Sequence, residues 1–269
     1  LNCGTHRFWR GTLAWILAVM PFTLLAVWLA DSGIAGLLLH ALLLYFCVGL
    51  RSLREHALPI AEALTRGDLT QARLLTARIV SRNTQDAQET DLAKAGVESL
   101  LENGNDAVFG TLFWFIIAGG PGALLFRLAN TLDAMWGYRT PRLLAFGCFA
   151  ARFDDVLNWI PARLTALSYV VLGATLADKR CAWQCWRAQA PTWSSPNAGP
   201  VMASGAGALG LALGGAAVYH GEIEYRPPLG LGRTAVANDI CRAWQLVATT
   251  AALWCVILTL AGVFSLFAS

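Results

Sequence analysis

Two charge-free apolar runs stand almost back to back near the start of the chain: LAWILAVMPFTLLAVWLA (13–30) and IAGLLLHALLLYFCVGL (34–50). Each approaches the ~20 residues that carry a helix across ~30 Å of hydrocarbon. Only Asp31, Ser32 and Gly33 separate them, so they predict an antiparallel helical hairpin in a bilayer. The first run is too long for a signal-peptide core and meets a second span at once, so no cleaved signal is expected. Composition agrees. An ordinary soluble domain carries roughly 25% charged residues, whereas this chain of 269 residues has 14% charged and 56% hydrophobic. That excludes a water-soluble globule, a disordered chain, a collagen and a disulfide scaffold.

Further apolar runs follow at 107–126, 164–176, 201–219 and 246–267. Gly119-Gly120-Pro121-Gly122 interrupts the first, which suits a broken helix or a re-entrant hairpin. The second is short for a span. The third is built of Gly and Ala, with Gly210 and Gly214 in a GxxxG arrangement that predicts a tightly packed helix. The fourth is a conventional last span. No run alternates as a strand does, and no repeat or linker divides the chain. The expectation is an all-α, polytopic integral membrane protein with about five apolar helical segments, some open to a re-entrant course, in one domain over 1–269.

Basic residues set the orientation. Arg7 and Arg10 precede the first run, Arg51 and Arg54 follow the second, and the tip between the runs is acidic. The positive-inside rule then puts 51–106 in the cytoplasm, on a multi-pass protein of the cell's inner membrane. This lobe reads as helical. Leu53, Ala57, Leu58, Ala61 and Leu64 form one stripe that Gly67 stops; Asp68 is an N-cap for a helix through Val80; a third helix starts near Thr90.

The remaining charges gather beside the apolar runs. Glu98 and Glu102 lie one helical turn apart, and Asp106 continues their stripe if the helix persists past Gly104. Three carboxylates on one face repel one another, so they need solvent, arginine or Mg²⁺ as neighbour. Asn130 with Asp133, and Asp154-Asp155 with Asn158, each put an amide and a carboxylate one turn apart among aromatics. Short oxygen donors of this kind are ligands for Mg²⁺ alongside substrate phosphates, and ionisable groups near membrane depth are functional candidates. The structural alternative is an Arg–Asp network uniting Arg152, Asp154, Asp155 and Arg163. The loop WSSPNAGP (193–200) opens the Gly/Ala helix, where Ser195, Asn197 and the backbone amides either bind an anion or make a plain turn.

Absences narrow the chemistry. No GxxxxGK[ST], GxSxG or HExxH occurs; the four histidines do not cluster; and Cys181 and Cys185 lack a second metal-binding pair. No basic run exceeds two residues, so no nucleic-acid partner is expected. His40, inside a span, is expected to be a hydrogen-bonded core residue. What is left is a membrane-embedded Mg²⁺/phosphate site of Asp, Glu, Asn and Arg. Intramembrane prenyltransferases use such sites, but the second aspartates of their motifs are missing here.

At these same residues the chain resembles the adenosylcobinamide-phosphate synthases of the CobD/CbiB type. The matching blocks are RSL (51–53), SRNTQD (81–86), ESLLENGNDA (98–107), NTLDAMWGYR (130–139), ARFDDVLNWIPARL (151–164), SSPNAGPVMA (194–203) and HGE (220–222). The resemblance implies an amide-forming ligase of cobalamin biosynthesis. It would join adenosylcobyric acid to (R)-1-amino-2-propanol or its O-phosphate, with ATP as co-substrate and Mg²⁺ as cofactor. Under that resemblance Glu98, Asp106, Asp133 and Asp155 are catalytic candidates. Arg82, Asn103, Asn130, Arg152, Asn158, Arg163, Ser195 and Asn197 are candidates for substrate or ATP. Glu98, Glu102, Asp133, Asp154 and Asp155 are candidates for Mg²⁺. Arg82, in a loop away from any span, is expected to contribute little packing.

Because ATP is cytoplasmic, 51–106, 127–160, 177–200 and 220–245 should face that side. An oligomer is compatible with this picture. Family members carry a further N-terminal stretch, so a chain beginning at Leu1 is expected to be shortened there. The non-enzyme alternative is an AmpE-like membrane regulator, which would not need ENGND, NTLD and FDDVLN together.

Overall fold

The computed structural model describes residues 6–30, 33–138, 140–219 and 222–268, with the backbone alone at 218–219, 222–223 and 261–268. The Asp31-Ser32 link, Arg139 at the end of the NTLD block, and His220 and Gly221 of HGE lie outside the described residues. The chain is predominantly helical, as the apolar periodicity requires. It divides into two compact units, Leu1–Gly49 with Asp106–Pro161, and Leu50–Asn105 with Ala162–Ser269.

In the first unit, α1 (Arg7–Ala30) and α2 (Gly33–Cys47) are the two charge-free runs. They leave Trp28, Ile34, Leu37, Leu38, Tyr45 and Phe46 exposed. In water such a surface would be a liability; in lipid it is the solvated face. α6 (Gly110–Trp136) and the first half of α7 (Cys148–Val171) complete the unit. Its core joins Trp15 and Val19 of α1, Phe126 and Ala129 of α6, and Ala150 and Leu157 of α7. Trp15 lies 4.6 Å from Phe153 and 5.2 Å from Phe149, centroid to centroid, within the range where tilted aromatic pairs attract.

α6 is not a straight rod. Ala118 (φ −138°) and Gly119 (φ 62°, ψ −156°) leave the helical region. A Cβ on Gly110 would collide with the ring of Phe126, and one on Gly122 with the carbonyl of Trp114. A straight helix would hold residues 110 and 126 about 24 Å apart. The chain therefore folds back on itself at Gly119, the course that the Gly-Gly-Pro-Gly interruption allowed. Positive φ makes Gly119 a position for glycine, and the freed amide of Gly120 donates to Nδ1 of His40 at 2.7 Å. His40 is thus hydrogen-bonded, as expected, although half-buried rather than part of the core.

The second unit holds α3 (Leu50–Thr65), α4 (Leu69–Thr76), α5 (Glu89–Gly104), α8 (Leu176–Gln189), α9 (Ala198–Leu209), α10 (Ala237–Ala268) and the second half of α7. Asp68 caps α4 as its sequence position predicts, its Oδ1 accepting from the amide of Gln71 at 2.9 Å. Gln88 and Asp91 form a capping box at the start of α5.

Two expectations are corrected here. The Gly/Ala run 201–219 is not one helix: α9 stops at Leu209, capped by Gly210 at φ 64°. The chain then enters β1 (Leu211–Tyr219), which pairs antiparallel with β2 (Glu222–Leu229) and parallel with the short β3 (Arg233–Thr234). Ala and Gly supply no alternation to mark a strand. Gly214 and Gly215, at φ 72° and 79°, form an irregularity in the β1–β2 ladder rather than a GxxxG face.

Among the described residues four helical stretches are long and apolar enough to cross a membrane: Arg7–Ala30, Gly33–Thr65, Glu89–Trp136 and Ala237–Leu260. The third contains the fold-back at Gly119.

Candidate functional site

The acidic and amide residues singled out in the sequence fall into two groups, one in each unit. A π-helical turn, Asn105–Phe109, separates them. It breaks the stripe expected to run from Glu98 through Glu102 to Asp106. Glu98 and Glu102 belong to the second unit, and Asp106, Asp133, Asp154 and Asp155 to the first. Such single π turns recur at functional sites.

In the first unit Asp154 is buried on α7, and two amides clasp it. Asn158, one turn on, donates to Oδ2 at 3.0 Å, and Asn130 of α6 donates to Oδ1 at 3.3 Å. Asn158 is itself buried, while Asp133 and Asp155 are half-buried. Trp114 braces the same helix, its indole N–H donating to the carbonyl of Leu157 at 3.0 Å. Asp154 lies outside the four candidate spans. Burial, then the negative charges of Asp106 and Asp133, push its carboxyl up to about 8, against the pull of the two amides. The arginine partner expected for Asp154 is corrected. Arg152 is exposed, and it is amides rather than arginines that hold Asp154.

In the second unit Glu98 is buried and surrounded by donors. Arg226 of β2 grips it with Nη1 on Oε2 at 2.9 Å and Nη2 on Oε1 at 3.2 Å. The amide of Gly214, freed by the ladder irregularity, donates to Oε1 at 2.9 Å. Nη2 of Arg82 approaches Oε2 to 3.2 Å. Arg82 is therefore not a loop arginine without packing; its side chain is only 10% exposed. Glu102 and Asn103 are half-buried one turn further along α5, and the Asn103 amide stays on its own helix, donating to the Ser99 carbonyl at 2.9 Å.

The loop before α9 satisfies itself. Ser195 Oγ accepts from the amides of Asn197 and Ala198 at 3.3 and 3.2 Å. Arg163 donates to Asn197 Oδ1 at 2.8 Å and to the Pro196 carbonyl at 3.1 Å, and desolvation lowers its pKa. These groups act here as a brace for the helix start.

Sequence reasoning missed Arg226, Asn105 and Asp239. Asn105 is buried and accepts from Thr165 at 3.0 Å. Asp239 is fully buried between Arg233 and Arg242. The Asn105 signal was present in ENGND; Arg226 and Asp239 carried no local motif.

Among the described residues no three His, Cys, Asp or Glu side chains are arranged to hold a metal ion. Mg²⁺ commonly needs only one or two carboxylates with water and substrate phosphate. The Asp106/Asp133/Asp154 group fits that demand, because the negative charges of Asp106 and Asp133 raise the proton affinity of Asp154 where no cation offsets them.

The family described as CobD/Cbib protein matches residues 2–247. A cobalamin biosynthesis protein CobD of Stutzerimonas stutzeri is 55% identical over 97% of this chain and 86% of its own length. The chain belongs to the CobD/CbiB family. Namesakes from Chromobacterium violaceum and Geobacter metallireducens are 54% and 42% identical, over 93% and 82% of this chain and 80% and 71% of theirs. CobD/CbiB membership gives the chain a role in cobalamin biosynthesis. No solved structure matches.

Proposed function

We propose that the chain is an ATP-dependent amide ligase. It joins a propionate carboxyl of adenosylcobyric acid to the amine of (R)-1-amino-2-propanol or of its O-phosphate. The observation that carries this reading is the buried Asp154, clasped by Asn130 and Asn158 and crowded by Asp106 and Asp133. A buried carboxyl held by two amide donors, with further carboxylates beside it, is suited to receive a cation.

One or two of the carboxylates Asp133, Asp154 and Asp155 would hold Mg²⁺ together with the ATP phosphates, with Asp106 adding negative charge beside them. When bound, the ion would neutralise charge on the ATP phosphates during phosphoryl transfer. The substrate carboxylate attacks the γ-phosphorus and ADP departs, which leaves an acyl phosphate. The amine then attacks the acyl carbon, phosphate leaves, and one proton is lost from nitrogen. Asn130 and Asn158 fix the orientation of Asp154 throughout, since each amide N–H is directed at one carboxylate oxygen. Trp114, donating to the backbone one residue before Asn158, holds that stretch of α7 in place. The acidic group would face the cytoplasm, where ATP is, from a multi-pass position in the inner membrane.

The test is purified protein in nanodiscs, assayed for ATP-dependent amide formation and ADP release. Asp133→Asn and Asp155→Asn keep shape and remove charge, so both should abolish ligation without unfolding the protein. Full turnover in both variants would reassign the acidic group to structure. Failure of the parent protein to turn over would favour a non-catalytic membrane regulator.

A further inference from the structure

The second unit contains a cavity of about 260 Å³ that has no part in the Mg²⁺ and ATP roles proposed for the acidic group. Its lining includes Arg82, Thr84, Lys94, Gly214 and Arg226. We propose that this cavity binds the phosphate of a small phosphate ester, with Arg82, Lys94 and Arg226 as its cationic wall.

The buried guanidinium donors outnumber their acceptors. Two guanidinium groups converge on the single carboxylate of Glu98. Arg226 makes the bidentate contact and so satisfies both carboxylate oxygens. Nη2 of Arg82 comes within 3.2 Å of Oε2 but off the hydrogen-bonding direction, and this buried nitrogen has no hydrogen-bond acceptor. Buried donors are almost always satisfied, and one that is not calls for an explanation. Here the donor belongs to a side chain only 10% exposed, at the wall of a cavity. An oxyanion in that cavity would supply the acceptor.

Lys94, one turn before Glu98 on α5, adds a third cation to the lining. The acids of the lining, Asp86 and Asp91, are both exposed, where water screens their charge, whereas the arginine side chains are about nine-tenths buried. The Thr84 hydroxyl donates to the Arg73 carbonyl at 3.1 Å, which fixes the loop that carries Arg82. Glu98 is then a positioning residue, since it holds two planar forks beside the cavity. Forks of this kind match phosphate better than an ammonium can.

Size selects among phosphates. Pockets that enclose drug-sized ligands run from about 300 to 1,000 Å³. A cavity of about 260 Å³ matches phosphate on a short substituent better than a whole nucleotide. The choice of probe rests on the ligase reading, under which a phosphorylated amino-alcohol is a candidate substrate; the site itself rests on the cavity.

The experiment is calorimetric titration of the full chain in nanodiscs, with no turnover required. The probes are (R)-1-amino-2-propanol O-phosphate, the unphosphorylated amino-alcohol, and ATP. The O-phosphate should bind and the free amino-alcohol should not. Lys94→Ala, which breaks no ion pair, should weaken O-phosphate binding about ten-fold or more and leave ATP binding unchanged. Arg82→Lys should weaken it too, giving a second variant if either fails to fold. No O-phosphate binding by the parent protein, or undiminished binding in both variants, overturns the proposal. ATP binding lost in both variants also overturns it, by giving the site to the nucleotide. Because binding is read directly, an inactive protein that binds the O-phosphate would sink the ligase reading and leave this site standing.

Discussion

Arg226 grips Glu98 with both terminal nitrogens of its guanidinium, at 2.9 and 3.2 Å, although 128 residues separate the two in sequence. The contact depends on the small sheet. Arg226 stands opposite Gly215 in the β1–β2 ladder, and the irregularity beside it turns the amide of Gly214 onto the same carboxylate. A helix over 201–219 would have offered none of this, so the sheet that the sequence concealed is what completes the surroundings of a residue that the sequence displayed.

Replacing Glu98 by Gln tests the contact. The variant keeps the shape and removes the charge that two buried guanidiniums share. Breaking a buried ion pair from one side costs about 3–5 kcal/mol, because the partner charge stays buried. The melting temperature in detergent should fall accordingly. A Tm equal to the parent's would mean that solvent already screens the two arginines.

Asp154 gives the protein a pH dependence of defined sign. Its folded-state pKa, about 8, lies above the ordinary aspartate value. The folded state therefore binds more protons than the unfolded state between about pH 4 and about pH 8. This contribution to stability is full below about pH 4 and is lost as the pH rises toward about 8. Thermal melts across that window should show a declining Tm, and Asp154→Asn should flatten the decline. Mg²⁺ should flatten it too, since a bound cation favours the ionised form. A slope that survives Asp154→Asn would assign the dependence to another group.

How much was legible follows from where each signal sits. The spans announce themselves because lipid tolerates no charge, and Asp68 is readable as a cap because capping is local to one turn. The fold-back at Gly119 is readable as an interruption for the same reason. The pairing of Asp154 with Asn158 is readable as one helical turn, but Arg226 and Arg82 beside Glu98 and Asn130 beside Asp154 are not, because spacing along one helix says nothing of what another element brings. Asp154 looked like a partner for Arg152, two residues away, yet two residues along a helix point to different faces. Its partners are Asn158, one turn on, and Asn130 from α6.

The hairpin in α6 should be sensitive at His40. His40→Ala removes the acceptor of the Gly120 amide and leaves that donor unpaired, which costs about 1–3 kcal/mol. Gly119→Ala should cost at least as much, through strain at positive φ and collision with the same ring. Combining the two relieves the collision and not the strain. The double variant should therefore lose less stability than the sum of the single losses, and simple additivity would count against the contact.

Asp239 offers a different kind of test, since its three neighbours predict a ranking. It is fully buried at the start of α10, and both its oxygens are used. Arg233 reaches them at 2.6 and 2.7 Å, Arg242 at 2.8 Å and the Val236 amide at 2.9 Å. Arg242 also donates to the Leu209 carbonyl at 2.9 Å, so it ties the end of α9 to α10. Asp239→Asn exchanges one acceptor for an NH₂ group among donors only, and should cost the most, about 3–5 kcal/mol. Arg242→Ala comes second, because it leaves both Asp239 and a helix-terminal carbonyl short of a donor. Arg233→Lys should cost least, below about 1 kcal/mol, because that side chain is 53% exposed and water can replace what lysine cannot reach. Denaturant unfolding of the three variants checks the order. Finding Arg233→Lys the most damaging would mean that the β3 contact, rather than the junction of α9 with α10, is what Asp239 secures.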